Sequence, residues 1–319
     1  MDIIEHIKSS KKKTFSVELL PPRNGESVAQ VYKVLEDLSD LKLDFVSITH
    51  GSGGSLRGGT DALGALIRER YGLEPLIHLT CLDQSREMME NELMILKYLG
   101  LNNVLALRGD PPWGIKEFTP HSHGHRNALG LVHQVSELNQ GHYLLRKTDY
   151  KMYKLPEDAK YREGEKSEFV VCCACYPEGH SEGSTIAQEV DYALRKIEAG
   201  AQMLITQMLF SAEVYSSFVE KILYRFPETV IIPGVMPLVK KSQVGFVEKM
   251  FGVKVPKKYA ENILSADTPN EKGVELSAQL CRDLFEAGAP GVHFFTMNES
   301  HNVRQIIKEL EHGFIKVFS

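Results

Sequence analysis

No stretch of this 319-residue chain is long and apolar enough to span a bilayer. The segment from Met1 to Lys13 mixes charge with a few apolar residues, which excludes a signal peptide and makes a cytoplasmic location the expectation. An excess of one charge is missing too. Lys and Arg number 37 against 42 Asp and Glu, and the formal net charge of −5 gives no general pull toward nucleic acid or anionic lipid. The short basic run Lys11 to Lys13 reads as a solvated approach to the first strand. No G-x-G-x-x-G follows an early strand, which argues against an open dinucleotide-binding sheet. Cysteines are few and odd in number, five in all. Cys172, Cys173 and Cys175 share one apolar run at a spacing unlike the common zinc patterns, so they read as buried reduced thiols, with no metal site expected. Internal repeats and low-complexity tracts are absent.

What is present is an alternation. Short apolar runs rich in β-branched residues cover Thr14 to Leu20, Asp44 to Thr49, Pro75 to Thr80, Asn102 to Leu107, Glu168 to Cys175, Ala201 to Thr206, Thr229 to Pro233 and Gly291 to Thr296. Between them lie segments of helical period, such as Arg86 to Leu99, Thr185 to Ala199 and Ala212 to Phe226, and Gly100 and Gly200 stand where C-caps belong. Eight strands, mostly apolar on both faces and alternating with helices, favour a closed parallel α/β barrel, the (β/α)8 or TIM type, over an open sheet. The whole chain, 1–319, reads as one such domain. The stretch 113–167, between the fourth and fifth strands, is too long for a βα connection and reads as an insertion holding one helix near Ala128 to Leu138.

A barrel of this type places its active site at the C-terminal ends of the strands, and those ends are unusually polar. Glu18 lies in an apolar strand closed by Pro21 and Pro22, where burial would raise its pKa toward the range a general acid needs; an internal salt bridge is the bland alternative. The second strand ends in Thr49 and His50, the third carries His78, and the fourth ends in Arg108-Gly109-Asp110. That last triplet combines a fixed cation, a backbone a ligand can approach and a carboxylate, although surface turns often look the same. The fifth strand runs into Tyr176 and His180, and the sixth into Gln207. Arg195 and Lys196, on the following helix, fit either a solvated face or a diphosphate clamp. His78 alone reads equally as a core histidine.

The strings F-S-V-E-L-L-P-P, V-S-I-T-H-G, H-L-T-C, A-L-R-G-D-P-P, C-Y-P-E-G-H, K-I-E-A-G-A-Q-M-L-I-T-Q, I-P-G-V-M-P and F-F-T-M-N occur in this order. Together they resemble the methylenetetrahydrofolate reductase family over nearly the whole chain except the insertion. The resemblance implies a barrel that holds FAD without a Rossmann motif and takes hydride from NADH or NADPH in ping-pong fashion. It would pass the hydride to the one-carbon unit of a folate. Glu18 then corresponds to the general acid that protonates N10, and Asp110 to the carboxylate near flavin and pterin. Gln207 and Gln243 correspond to substrate-recognising amides. Thr49, His78, Arg108, Gly109, Asp110, Tyr176, His180, Arg195 and Lys196 correspond to the cofactor-binding set.

Two positions depart from the family pattern. Glu299 follows Thr296-Met297-Asn298 where Arg is common, which predicts weaker binding of a folate's glutamate tail, and His50 replaces a common aromatic. The insertion is expected near the nucleotide end of the site. Rival readings are a flavin-holding subunit fed electrons by a protein partner and a flavin-free folate-binding barrel. Partners beyond the folate and the nicotinamide extend to a second copy of the chain; nucleic acid and membrane are not among them.

Overall fold

The structure is a computed structural model that describes residues 1–51, 58–110, 119–146, 149–156 and 158–317. Its strands are β1 (Thr14–Leu19), β2 (Phe45–Ile48), β3 (Glu74–Thr80), β4 (Asn103–Leu107), β5 (His142–Tyr143), β6 (Arg162–Glu163), β7 (Val170–Cys175), β8 (Met203–Met208), β9 (Val230–Val235) and β10 (Gly291–Phe295). Eight of them close a parallel barrel in the order β1-β10-β9-β8-β7-β4-β3-β2, while β5 and β6 form a separate antiparallel pair. The expected (β/α)8 barrel is therefore the fold.

Alternation along each strand sorts side chains between two cores. Outward residues such as Val17, Val46, Ile77, Cys173 and Phe294 join the surrounding helices in the larger core. Inward residues Phe45, Leu76, Leu105, Val170, Cys172, Met203, Ile205, Val230 and Ile232 fill the barrel itself. The crowded cysteines thus point both ways. All five are buried free thiols, and burial lifts the pKa of Cys173 to about 11 and of Cys175 to about 12.

The barrel's lower end is closed by a short helix, Ile3–Ser9, whose Ile3, Ile4 and Ile7 pack into the inward core. Asp2 caps this helix by accepting from the backbone N–H groups of Ile4 and Glu5. Asn103 accepts from the Ile3 N–H at 3.2 Å and donates to Glu74 at 2.9 Å, so the plug is hydrogen-bonded as well as packed.

The expected insertion is split in two. Helix Ala128–Gln140 packs on β4 and β7 and beside helix Ile186–Glu198, so it is the regular helix of its βα unit. The residues leading into this helix lie at the mouth, where the Leu82 carbonyl accepts from His121 and the His123 carbonyl from Arg86. The residues leaving it lie at the opposite end, because a barrel helix runs antiparallel to its strands. There Lys97, near the C-terminus of helix Arg86–Leu99, donates to the carbonyls of Glu165 and Lys166. This corrects the expectation that 113–167 lies near the nucleotide end of the site: the described residues of 141–167 leave the helix at the lower end of the barrel. Residues 113–118, 147, 148 and 157 lie outside the described residues.

Candidate functional site at the barrel mouth

Glu18 stands on β1 with Ser47 of β2 and Phe295 of β10 as register partners. Its side chain is only 14% exposed, and His78 Nε2, at 3.9 Å, is the basic nitrogen beside it. No Lys or Arg pairs with it among the described residues, so burial pushes its pKa up to about 7. The same burial, aided by neighbouring imidazoles, drives His78 down to about 3 and keeps it neutral. Among the described residues, His78 Nε2 and Thr49 Oγ1 are buried polar atoms without a hydrogen-bond partner. Such atoms cost roughly 1–3 kcal/mol each, so two of them beside a protonated acid mark a surface built to receive polar groups.

Beneath this layer His293 is fully held. Its Nδ1 lies 2.8 Å from Ser16 Oγ, its Nε2 3.1 Å from Ser47 Oγ, and its ring stacks on Phe45. Burial holds His293 near a pKa of about 3. A second support comes from the end of β10. The Thr296 hydroxyl donates to the Glu18 carbonyl at 2.6 Å, and the Asn298 amide both accepts from Leu20 N–H at 3.0 Å and donates to the Leu20 carbonyl at 2.9 Å. Asn298 does this from a left-handed backbone, φ +59°. These residues clamp the strand that carries Glu18. His293 and Asn298 carry no such role in the sequence reading; counting every second residue from the inward Phe45 and Glu18 would have put Ser47 and Ser16 on the inner face.

On the β4–β7 side, Arg108 grips Glu182 with two hydrogen bonds of 2.7 and 2.6 Å. Gly109 follows at φ +92°, and a Cβ there would stand 3.1 Å from Leu82 and 3.2 Å from Thr80, so only glycine leaves this backbone bare. Asp110 is exposed, close enough to Arg108 and Tyr176 to influence both electrostatically. Tyr176 meets the edge of His180 at 4.5 Å between ring centroids. On β8, Gln207 accepts from the N–H of Met208 at 2.9 Å, with its NH2 left for another partner, beside an irregular register opposite Gly234.

A profile of the methylenetetrahydrofolate reductase family matches residues 3–311. The chain belongs to that family. Methylenetetrahydrofolate reductase 1 of Schizosaccharomyces pombe is 28% identical over 97% of this chain, and the match spans 48% of that protein. The chain thus spans about half the length of such relatives. The 5,10-methylenetetrahydrofolate reductase of Pectobacterium carotovorum is 27% identical over 89% of this chain and 86% of its own length. Among solved structures, an uncharacterized protein from Clostridium thermocellum that binds two copies of 5-methyl-5,6,7,8-tetrahydrofolic acid superposes with a TM-score of 0.57. It is 15% identical, covering 99% of this chain and 100% of that one, which supports the fold.

Within the family's candidate set the structure brings Glu18, Thr49, His78, Arg108, Gly109, Asp110, Tyr176, His180 and Gln207 to one end of the barrel. Others are engaged elsewhere. Lys196 is buried, donates to the Ala174 carbonyl at 2.5 Å and lies over the Tyr192 ring. Arg195 is exposed beside Asp191 at 4.0 Å. Gln243 caps helix Lys241–Phe251 by accepting from Val239 and Lys240 N–H groups, at the edge of a small cavity shared with Phe295, Thr296 and Glu299. His50 turns away from the mouth toward Glu92, 3.4 Å off, in a cleft of about 470 Å³ that also holds Asp61 and Asn91. Pro111 and Pro112 lie outside the described residues.

Proposed function

We propose that this barrel reduces 5,10-methylenetetrahydrofolate to 5-methyltetrahydrofolate, using FAD and a reduced nicotinamide, NADH or NADPH, in alternating half-reactions. Family membership supplies the reaction class. The observation that carries the reading is Glu18: an inward acid at the mouth, nearly buried, lacking a cation, with a pKa near 7. Such a group holds its proton at neutrality and can still release it. Delivered to N10 of the bound folate, that proton opens the five-membered ring and leaves an iminium carbon at N5 ready for hydride. His78, kept neutral, adds no cation that would strip the proton from Glu18.

The residues present fit a flavin. Two buried atoms, Thr49 Oγ1 and His78 Nε2, lack partners among the described residues, and the Gly109 backbone adjoins the Arg108 guanidinium. These residues, with Asp110, Tyr176 and His180, would hold FAD; Gln207 offers an amide NH2 to the pterin, and Gln243 would serve from the cavity rim. Arg195 and Lys196 would take part only if Lys196 left the Ala174 carbonyl. A bound flavin supplies two-electron storage between the half-reactions.

The test is an absorption spectrum of the purified protein with added FAD, followed anaerobically by NADH, NADPH and then methylenetetrahydrofolate. The expected result is a flavin band bleached by one nicotinamide and restored by the folate. A band that neither nicotinamide bleaches would point to a protein electron donor. Absence of flavin binding would overturn the cofactor assignment.

A further inference from the structure

The segment after β7 folds back over the mouth in two successive turns, closed by Gly179 N–H on the Tyr176 carbonyl at 3.0 Å and Gly183 N–H on the His180 carbonyl at 2.9 Å. Glu182 lies at the tip, and its N–H donates to His180 Nδ1. Its carboxylate is half exposed yet meets the guanidinium of Arg108 edge to edge, tying the loop after β7 to the loop after β4. Gly183, at φ +97°, has no described atom within 4 Å of where a Cβ would stand, so side-chain packing does not pin the tip there. Arg108 Nε donates to the Gly109 carbonyl at 3.4 Å, so that backbone adjoins the pair.

We propose that Glu182 is an internal counter-anion for a diphosphate site: it holds the Arg108 fork until the diphosphate of a dinucleotide such as FAD takes its place. This rests on the flavin reading above. A carboxylate and a phosphate present the same pair of acceptor oxygens to a guanidinium, so one can replace the other in the same geometry. The exchange is feasible because the pair is partly solvated and weak, whereas a diphosphate brings a second charge and further acceptors. Glu182 keeps Arg108 extended across the mouth, and its departure frees the tip of the β7 loop to settle on the ligand. Tyr176, Asp110 and Cys81 face Arg108 and His180 faces Glu182, with Glu189 held behind the loop by Ser184.

The test compares the wild-type protein with Glu182→Gln, both stripped of flavin, by quenching of flavin fluorescence with FAD and with riboflavin, which lacks the diphosphate. Removing the competing carboxylate should tighten FAD binding roughly two- to fivefold. Riboflavin binding should stay unchanged, and the FAD gain should shrink as KCl rises from about 0.02 to about 0.5 M. Glu182→Ala should change FAD affinity in the same direction, and melting curves check that both variants are folded. Equal or weaker FAD binding by Glu182→Gln overturns the proposal, because Glu182 would then be positioning Arg108 instead of competing for it. An equal gain for riboflavin overturns it as well, since the loop would be acting by bulk. A wild-type protein that binds neither flavin defeats the flavin reading itself, and this proposal with it.

Discussion

The two ends of the barrel interior are built from the same strands and obey opposite rules. At the lower end every inward position is apolar or hydrogen-bonded: Ile3, Ile4 and Ile7 meet Phe45, Leu76 and Val170, and Asn103 joins the plug helix to Glu74. At the mouth, only a few residues further along, inward positions carry Glu18, His78 and Thr49, with two polar atoms unpartnered among the described residues and an acid forced toward neutrality. The lower end contributes stability and the mouth forgoes it. His293, with both ring nitrogens on serines, is the boundary between the two regimes. Of the buried side-chain atoms without a partner among the described residues, Thr49 Oγ1 and His78 Nε2 face the barrel interior at the mouth, whereas Ser167 Oγ lies outside the barrel interior near its lower end.

If this contrast is right, substitutions at the two ends should separate activity from stability. The largest effect is expected from Glu18→Gln, which keeps the shape and removes the transferable proton. Folate-dependent reoxidation of the reduced flavin should fall roughly 10²- to 10⁴-fold, while reduction by the nicotinamide is spared. Stopped-flow absorbance on each half-reaction reads both, and a loss under about tenfold in the folate step would remove Glu18 from its role. Ile3→Ala does the reverse. Deleting this fully buried side chain should cost about 2–5 kcal/mol in denaturant unfolding and leave the per-molecule rate of folded enzyme unchanged.

The sharpest form of the comparison is a pH-dependent one at a single residue. Glu18 has a folded-state pKa of about 7 against an ordinary value of 4.5, so its ionisation opposes folding. Below pH 4.5 both states are protonated and there is no penalty; the penalty grows through the interval and is complete above about pH 7. Glu18→Gln should therefore stabilise the protein by about 3 kcal/mol at pH 8 and hardly at all at pH 4. His78 and His293, both held near a pKa of about 3, act with the opposite sign: stability is full above the ordinary value of 6.5 and declines as pH falls below it. Urea midpoints against pH for wild type and Glu18→Gln test both, and a pH-independent difference between the two proteins would refute the burial argument.

A smaller effect is expected where the clamp meets the strand. Asn298→Ala loses two hydrogen bonds and places a Cβ-bearing residue without a polar side chain at φ +59°, whereas Asn298→Gly loses the bonds without strain. The alanine variant should be less stable than the glycine variant by about 1 kcal/mol. Both should lower kcat more than they raise KM, since the loosened strand end carries Glu18. Equal kcat values for wild type and both variants would show that the clamp does not position the acid.

How far this division was legible in the sequence differs between the two ends. All eight barrel strands follow from apolar runs bounded by turn residues, and Glu18 is visible as the odd charge in one of them. The plug helix escaped notice because seven residues are too few to display a helical period, and its apolar face is only three isoleucines. The long segment before β7 looked like one insertion because nothing local distinguishes a barrel helix from an inserted one; that depends on what Ala128–Gln140 packs against. Long-range partners were likewise out of reach. Nothing near Arg108 indicates Glu182, 74 positions on, and nothing near Lys196 indicates that it is buried against Ala174. Gln243, read as a substrate amide, also caps its own helix through Oε1, a role the spacing from Lys240 to Gln243 carries in the sequence.

The smallest predicted effect concerns Glu299, at the rim where the two regimes give way to solvent. Its carboxylate pairs with Lys240 at 2.8 Å, both side chains half exposed, and borders the cavity that contains Gln243 and Phe295. A solvated pair of this kind contributes at most about 1 kcal/mol, so Glu299→Arg should shift the melting curve only slightly. The arginine would set two cations beside each other at Lys240 and reverse the sign of the field over the rim. A folate's glutamate tail, if it passes here, should then bind more tightly, with the gain largest at low salt and absent for a folate lacking the tail. KM for methylenetetrahydrofolate measured at two ionic strengths reads this directly. An unchanged KM at low salt would mean that the tail leaves the barrel on another side, and that the glutamate at this position is a neutral replacement rather than a determinant of substrate affinity.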